Sequence, residues 1–302
     1  MGRRRFIPKG EHNEHLVSRV AQQEYLFEVE GMKEVYEDLL QFFSKVYYVK
    51  IIGHVIMDNH VHVVLKVEHP EFDMEDVRRR FEIAKSRLIN KRDFREEMAE
   101  HYYKRYTNLS EFMKEVNWRM ALAYNTRTGK KGHFWEGRYK NIVVEDGYAL
   151  LNVLTYVALN PVRAGMVKDP THYPHSSIAQ LKEAMNKGEY KDAPQIKIFK
   201  EMTDKIRAVT YLDWVQYAAM ATMIPELRSK GAPIQFTTNG LELDMERIWE
   251  ELDSRAPVNW SSRVYGSTSF RKEMYKQAGW PYREPRASGE PKPPGPGPPP
   301  DS

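Results

Sequence analysis

Residues 47–67 read YYVKIIGHVIMDNHVHVVLKV, and this stretch decides the fold. Two runs rich in β-branched and apolar residues, 47–56 and 60–67, predict two strands. The polar residues 57–59 between them predict a short turn. The stretch therefore predicts a β-hairpin.

A pair of histidines, His60 and His62, opens the second predicted strand. Because side chains alternate along a strand, both imidazoles project from one face, and Val61, Val63 and Leu65 face a core on the other. Neutral imidazole is the commonest metal ligand in proteins, so the pair predicts metal ligation. The alternative is a half-exposed strand that happens to carry two histidines.

Apolar spacing around the hairpin predicts the remaining elements. Strands are expected at residues 14–22 and 141–144, helices at 31–46, 73–98, 109–124 and 146–159, and a basic, glycine-containing loop at 126–132. Strand–helix–strand–strand, followed by helices and a final strand, indicates an α+β sandwich with a small antiparallel sheet.

The length of 302 residues and a hydrophobic content of 41% allow one large domain with an appendage. We expect the main domain at residues 1–190 and a helical C-terminal appendage at 191–283. Helices at 194–222 and 266–279 are expected inside that appendage. Proline-rich residues 284–302 are expected to form a disordered, extended tail.

Composition limits the class of protein. The sequence has no apolar run long enough to span a membrane, and its basic start lacks the apolar stretch of a secretory signal. The absence of cysteine excludes disulfides and thiolate metal sites and fits a cytoplasmic protein. A net charge of +4 argues only weakly for a nucleic-acid partner. Arg3, Arg4 and Arg5 form either a nucleic-acid-binding arm or a solvated terminus.

The distribution of charge is more informative than its sum. Arginine and lysine concentrate between residues 78 and 105, and tyrosine and tryptophan are interleaved between 102 and 139. Basic groups contact phosphates and aromatic rings stack on unpaired bases, so this segment favours a nucleic-acid interface. The alternative is a salt-bridged helix face, because Glu82, Glu96 and Glu97 are mixed in.

A second motif lies at residues 155–165, TYVALNPVRAG. Tyr156 and Asn160 are four residues apart and share one helix face, and Pro161 places Asn160 at the helix end. An amide oxygen with two imidazoles suits Mg²⁺ or Mn²⁺, and a tyrosine oxygen can attack phosphorus. Taken alone, Tyr156 also fits a core aromatic, and Asn160 a plain helix cap.

Together the motifs resemble those of the single-tyrosine HUH transposases, and of the REP-associated tyrosine transposases in particular. The resemblance covers roughly residues 10–180. It is carried by HLVSR at 15–19, MDNHVH at 57–62, HFWEGRYK at 133–140, YVALNPVRAG at 156–165 and YPHSS at 173–177. One departure is His175, where relatives carry tryptophan or another residue.

This resemblance implies a ferredoxin-like HUH endonuclease fold and cleavage of single-stranded DNA by transesterification. It makes Tyr156 the nucleophile, which forms a 5′-phosphotyrosine, and it makes His60, His62 and Asn160 the ligands of Mg²⁺ or Mn²⁺. The implied partners are DNA hairpins with flanking sequence. We expect a cytoplasmic, nucleoid-associated monomer or homodimer.

The DNA contacts expected from charge and from the resemblance are Arg3, Arg4, Arg5, Arg19, Arg138, Tyr139, Lys140 and Arg163. For Arg138 and Tyr139 the alternative is that the segment around Trp135 only packs a helix against the sheet. Two other functions are considered: a domesticated hairpin-binding protein with little transposition activity, and a metal-dependent hydrolase that uses water.

Overall fold

A computed structural model describes residues 6–87, 93–197, 237–238, 241–242, 263–280 and 282. The strands are β1 (His12–Arg19), β2 (Val49–Ile56), β3 (His60–Val67), β4 (Lys140–Val144), β5 (Thr237–Thr238), β6 (Leu241–Glu242) and β7 (Val264–Tyr265). The helices are α1 (Met32–Val46), α2 (Met74–Ser86), α3 (Ala99–Tyr106), α4 (Leu109–Thr128), α5 (Tyr148–Ala158), α6 (Asn160–Arg163), α7 (Ser177–Asn186) and α8 (Thr268–Gln277).

The main sheet has the strand order β2-β3-β1-β4-β7. Strands β1 to β4 pair antiparallel with their neighbours, and β7 lies parallel to β4. Two split crossovers, β1–α1–β2 and β3–helices–β4, give the first four strands the ferredoxin-like arrangement. The predicted α+β class and the hairpin of residues 47–67 are confirmed.

Helices cover both faces of the sheet. On one face, β3 residues Val61, Val63 and Leu65 pack in a core with α1 and α4, as the alternation predicted. On the other face, Val55, Val64, Ile142 and Val144 of the sheet pack against the apolar side of α5 and against α7. A strand between two apolar layers buries both of its faces, which explains why Val63, Val64 and Leu65, on opposite sides of β3, are all buried and apolar.

The predicted helix over 73–98 is wrong in its second half, because α2 ends at Ser86. Phe94 lies against Phe81, with ring centroids 5.4 Å apart. In one continuous helix these two rings would lie about 20 Å apart, at 1.5 Å per residue. Burial of aromatic surface therefore outweighs local helical periodicity here.

Two other boundaries differ from the sequence prediction. Strand β1 spans His12–Arg19 rather than 14–22, because a 3₁₀ turn follows at Ala21–Gln23. Helix α4 continues to Thr128, so the predicted loop begins only at Gly129, whose φ of +69° ends the helix in the left-handed conformation that glycine favours.

One described segment of the predicted C-terminal appendage, residues 264–265, joins the main sheet, whereas β5 and β6 pair with each other in a separate two-stranded sheet. The helix predicted at 266–279 is present as α8, and β7 pairs with β4. Phe6, Val143 and Val264 form a small buried cluster against which Trp280 packs. Most of the helix predicted at 194–222 and the tail at 284–302 lie outside the described residues. In the part of the chain that the structure describes, no helix is both long and apolar enough to cross a membrane.

Gly53 marks the closest approach between β2 and the helices on the second face. A β-carbon at this position would lie 2.7 Å from Leu154 Cδ2 on α5 and 3.3 Å from Ser177 Oγ on α7. The Ser177 hydroxyl also accepts a hydrogen bond from the His54 backbone N–H at 3.0 Å. Only glycine lets α5 lie this close to the sheet.

Glu37 on α1 joins that helix to β2 and α7. Its Oε1 accepts a hydrogen bond from Gln180 Nε2 at 3.3 Å and lies 3.4 Å from His54 Nε2 and 3.9 Å from His175 Nδ1. Burial alone would raise the pKa of Glu37, but hydrogen bonds with His175 and His54 outweigh burial and lower it to about 2.

We expect Gly53→Ala to lower the free energy of unfolding by about 1–3 kcal/mol, because the added methyl group overpacks the contact with Leu154. Urea denaturation measures the change. Gly137→Ala is the matched control, since a β-carbon there meets no described atom within 4 Å. Equal stability of the two variants would show that β2 and α5 are not closely packed.

We expect Glu37→Gln to lower stability in a pH-dependent way. The folded-state pKa of Glu37, about 2, lies below its value of about 4.3 in an unfolded chain, so ionised Glu37 stabilises the fold above the unfolded pKa. The stability difference between wild type and variant at pH 5 should therefore shrink as the pH falls from about 4.5 towards 2. A difference that stays constant down to pH 3 would contradict this assignment.

Candidate active site

The histidine pair lies on the face of β3 that points towards α5. The His60 and His62 ring centroids are 5.0 Å apart. His62 is 2% exposed, and His60 is partly exposed at the start of the strand. The structure thus confirms that the two imidazoles share one face.

Tyr156 on α5 lies over this pair. Its ring centroid is 5.8 Å from that of His62 and 6.2 Å from that of His15, and both contacts are edge-on. Helix α5 packs its apolar side, including Leu150 and Leu154, into the core, whereas Tyr156 is only partly buried. The packing of α5 therefore sets the position of the tyrosine relative to the histidines.

Burial keeps both histidines neutral. It lowers the pKa of His60 to about 4, with a further decrease from the positive charge of Arg19. The pKa of His62 lies well below its usual range, first because of burial and then because His15, His60, Arg19 and Arg163 repel a proton there. At neutral pH the two imidazoles therefore carry a lone pair each, which is the form that binds metals.

The Nδ1 atom of each imidazole already has a partner. His60 Nδ1 lies 2.6 Å from Asn59 Oδ1, and His62 Nδ1 lies 2.9 Å from His15 Nε2. An amide oxygen only accepts, so His60 donates through Nδ1 and its lone pair lies on Nε2. Ligand histidines in metalloproteins are usually oriented in this way by a second partner.

Asn160 follows α5 and caps its C-terminal end. Its Nδ2 donates to the Tyr156 carbonyl at 2.8 Å and, at 3.4 Å, to that of Val157. This is the capping role that the sequence left as an alternative. Donation through Nδ2 keeps the Oδ1 lone pairs for another partner, so capping and metal ligation are chemically compatible.

A divalent metal ion bound by His60 and His62 would need a third protein ligand, for which the Asn160 amide is the candidate. Among the described residues, no group of three or more histidine, aspartate or glutamate side chains could hold a metal ion. Imidazole nitrogen and amide oxygen are both donors that divalent metal ions accept, and the hydrogen bond that orients His60 Nδ1 is typical of a ligand histidine.

Two of the arginines predicted to contact DNA flank the site. Arg19 pairs in register with His60 across β1 and β3, so both side chains lie on the same face. The Arg163 guanidinium lies 4.7 Å from the centre of the Tyr156 ring. Lys140 is exposed on β4, in register with Val17, two strands or about 10 Å from β3.

The other predicted DNA contacts are placed differently. Arg138 is exposed in the loop before β4, but Tyr139 is 7% exposed and packs in the core with α1 and α4. Its ring therefore has little surface to offer a base, which is a correction to the sequence prediction. Trp135 Nε1 donates to the Asn117 carbonyl at 2.8 Å, so this segment does pack a helix against the sheet. Arg3, Arg4 and Arg5 lie outside the described residues.

The basic segment between residues 78 and 105 forms a salt-bridged surface, which is the alternative to a nucleic-acid interface that the sequence left open. Most of the basic side chains that the structure describes there pair with carboxylates, in contacts such as Arg78–Glu96, Arg80–Asp76, Lys85–Asp93 and Arg105–Glu115. Charges neutralised in this way attract phosphates weakly. We therefore do not assign this segment to a DNA interface.

Sequence reasoning missed the residues that hold the turn before His60. Lys33 Nζ lies 2.5 Å from Asp58 Oδ1 and 3.0 Å from the Tyr173 hydroxyl, which donates to the Ile56 carbonyl at 2.7 Å. These contacts anchor α1 and residue 173 to the hairpin turn. These contacts join segments that are distant in sequence, so no local pattern around Lys33 or Tyr173 could have predicted them.

Comparison with known proteins gives one family match. Residues 9–107 match the model of the family described as IS200-like transposases. The matched segment runs from β1 into α3 and includes His60 and His62, but it ends before Tyr156 and Asn160. No curated protein sequence matches the chain.

A solved structure described as a REP-associated tyrosine transposase bound to a REP hairpin is also similar. It is 16% identical, covers 63% of this chain and 87% of its own, and superposes with a TM-score of 0.40. The family match confirms the predicted resemblance to transposases: residues 9–107 of this chain are similar in sequence to the IS200-like transposases.

Proposed function

We propose that this protein cleaves single-stranded DNA and transfers the cut strand by transesterification, with Tyr156 as the nucleophile. The observation that carries the proposal is the position of the Tyr156 ring, 5.8 Å from the His62 ring, over two neutral histidines. The similarity of residues 9–107 to transposases supports a role in DNA cleavage.

The proposed step exchanges one phosphate ester for another. The Tyr156 oxygen forms a bond to phosphorus while the bond from phosphorus to the 3′ oxygen breaks. The phenol proton leaves to solvent, and the 3′ oxygen takes up a proton to become a hydroxyl. A 5′-phosphotyrosine remains, and attack by another 3′ hydroxyl reverses the step. No external energy source is needed, because the number of phosphate ester bonds does not change.

His60 Nε2, His62 Nε2 and Asn160 Oδ1 are the proposed ligands of Mg²⁺ or Mn²⁺. When bound, such an ion would stabilise the negative charge that develops on the phosphoryl oxygens. The Asn59 contact orients His60, and the hydrogen bond from Asn160 to the Tyr156 carbonyl links the third proposed ligand to the turn that carries the nucleophile.

Arg19 and Arg163 are proposed to hold the phosphates of the strand. Both guanidinium groups lie close enough to lower the pKa of His62, so their positive charge extends over the site. Arg138 and Lys140 on the neighbouring surface extend this charge towards the start of β4. The preference for hairpins with a flanking single strand rests on the family resemblance.

We expect Tyr156→Phe to abolish formation of a protein–DNA adduct and to leave DNA binding nearly unchanged, because only the attacking oxygen is lost. The assay incubates protein with a labelled hairpin and its flanks in Mg²⁺ or Mn²⁺ and resolves the products on a denaturing gel. Tyr25→Phe, at a residue that is 61% exposed, is the matched control.

Persisting cleavage in Tyr156→Phe without an adduct would replace this proposal with hydrolysis by water. Tight binding by wild type with no cleavage under either metal ion would indicate a domesticated hairpin-binding protein.

We expect His60→Ala to reduce metal-dependent cleavage by about 100-fold or more, because the phosphoryl charge loses its stabilisation. Hairpin binding, measured by fluorescence anisotropy, should be retained. The control is His101→Ala, which removes an exposed imidazole on α3. Full activity of His60→Ala would rule out His60 as a ligand.

A further inference from the structure

A third histidine, His15 on β1, lies behind the proposed metal ligand His62. Its Nε2 is 2.9 Å from His62 Nδ1, and the two rings are stacked with centroids 5.1 Å apart and planes 24° apart. His15 is completely buried and lies on the same sheet face as Val17, the register partner of His62. The strand pairing therefore fixes this contact.

The contact restricts where the proton of His62 can lie. A neutral imidazole has one N–H and one lone pair, so in a hydrogen bond between two such rings one must donate and the other accept. If His62 donates from Nδ1, its Nε2 carries the lone pair that faces the site. If His15 donates from Nε2, His62 Nε2 carries a proton and cannot bind a metal ion.

We propose that His15 is a positioning residue that accepts the Nδ1 proton of His62 and so holds His62 in the tautomer that can bind a metal ion through Nε2. This inference rests on the proposed metal site. Both proposed histidine ligands would then donate their Nδ1 proton to a neighbouring side chain, since Asn59 Oδ1 accepts the Nδ1 proton of His60.

Burial favours this role for His15. His15 is fully buried with its Nε2 2.9 Å from His62 Nδ1, and an imidazole whose own proton lies on Nδ1 accepts a hydrogen bond at Nε2. A buried neutral imidazole orients the ligand and adds no charge to a site that must receive a phosphate.

The test compares His15→Phe, which keeps a ring but no acceptor, with His15→Gln, whose amide oxygen can accept. Long-range ¹H–¹⁵N correlation spectra of metal-free protein report the tautomer of His62. Wild type and His15→Gln should show the proton on Nδ1, and His15→Phe should lose this preference. His12→Gln is the control, because His12 is a buried histidine on the same strand that contacts the Gly10 carbonyl at 2.8 Å.

Manganese binding, followed by the electron paramagnetic resonance signal of free Mn²⁺, gives the second readout. We expect about 10–100-fold weaker binding in His15→Phe and near-normal binding in His15→Gln. A proton on His62 Nε2 in metal-free wild type, or unchanged tautomer and Mn²⁺ affinity in His15→Phe, would overturn the role of His15.

The experiments distinguish an error in the proposed metal site from an error in the proposed role of His15. If wild type binds no Mn²⁺, the proposed metal site is wrong, and the tautomer spectra alone still decide whether His15 controls His62. If His15→Phe does not fold, the wild-type tautomer and the His15→Gln affinity decide the same question.

Discussion

The packing of α5 against the sheet is the constraint on which the site depends. Tyr156 comes from a helix and the histidines come from a strand about a hundred residues earlier, so nothing local brings them together. The contact exists because the sheet offers an apolar surface, Val55, Val64 and Ile142, and because Gly53 has no side chain in the way. The capping amide of Asn160 then ends α5 one turn after the tyrosine.

The electrostatics of the site follow from where the charges are placed. His15 and His62 beside Tyr156 are buried, His60 is partly buried, and all three imidazoles are neutral, whereas the positive charge comes from the nearby arginines Arg19 and Arg163. Arginine stays charged at every relevant pH, and its guanidinium group can bind a phosphate through several hydrogen-bond donors. In the proposed function this arrangement separates two tasks: the arginines would attract the DNA strand, and the neutral rings would offer lone pairs to a metal ion.

The sequence was informative where its periodicity matched one buried face. The hairpin at residues 47–67 and the alternation at Val61 and Val63 depend on local spacing, whereas the role predicted for Tyr156 came from the resemblance to a known family. The failures lie where distant segments meet. Phe94 folds back on Phe81 and ends the predicted helix, and Tyr139 looks like a surface aromatic in sequence but fills the core.

The position of His15 in the site could not be predicted from local sequence either. The sequence marks it as part of the first strand, but only the register of β1 with β3 places it behind His62. Register depends on the pattern of the whole sheet and on the turns, which no single motif specifies. The Arg78–Glu96 and Arg105–Glu115 salt bridges likewise depend on which segments become neighbours.

The parallel pairing of β7 with β4 has a consequence for the integrity of the protein. An edge strand exposes unpaired N–H and C=O groups and can recruit strands from other molecules. Residues 264–265 cover part of the outer edge of β4, and Phe6 and Trp280 pack together beside them, 5.6 Å apart. The last described segment thus shields the sheet from self-association, and a protein shortened to its first 190 residues would carry that edge uncovered into solution.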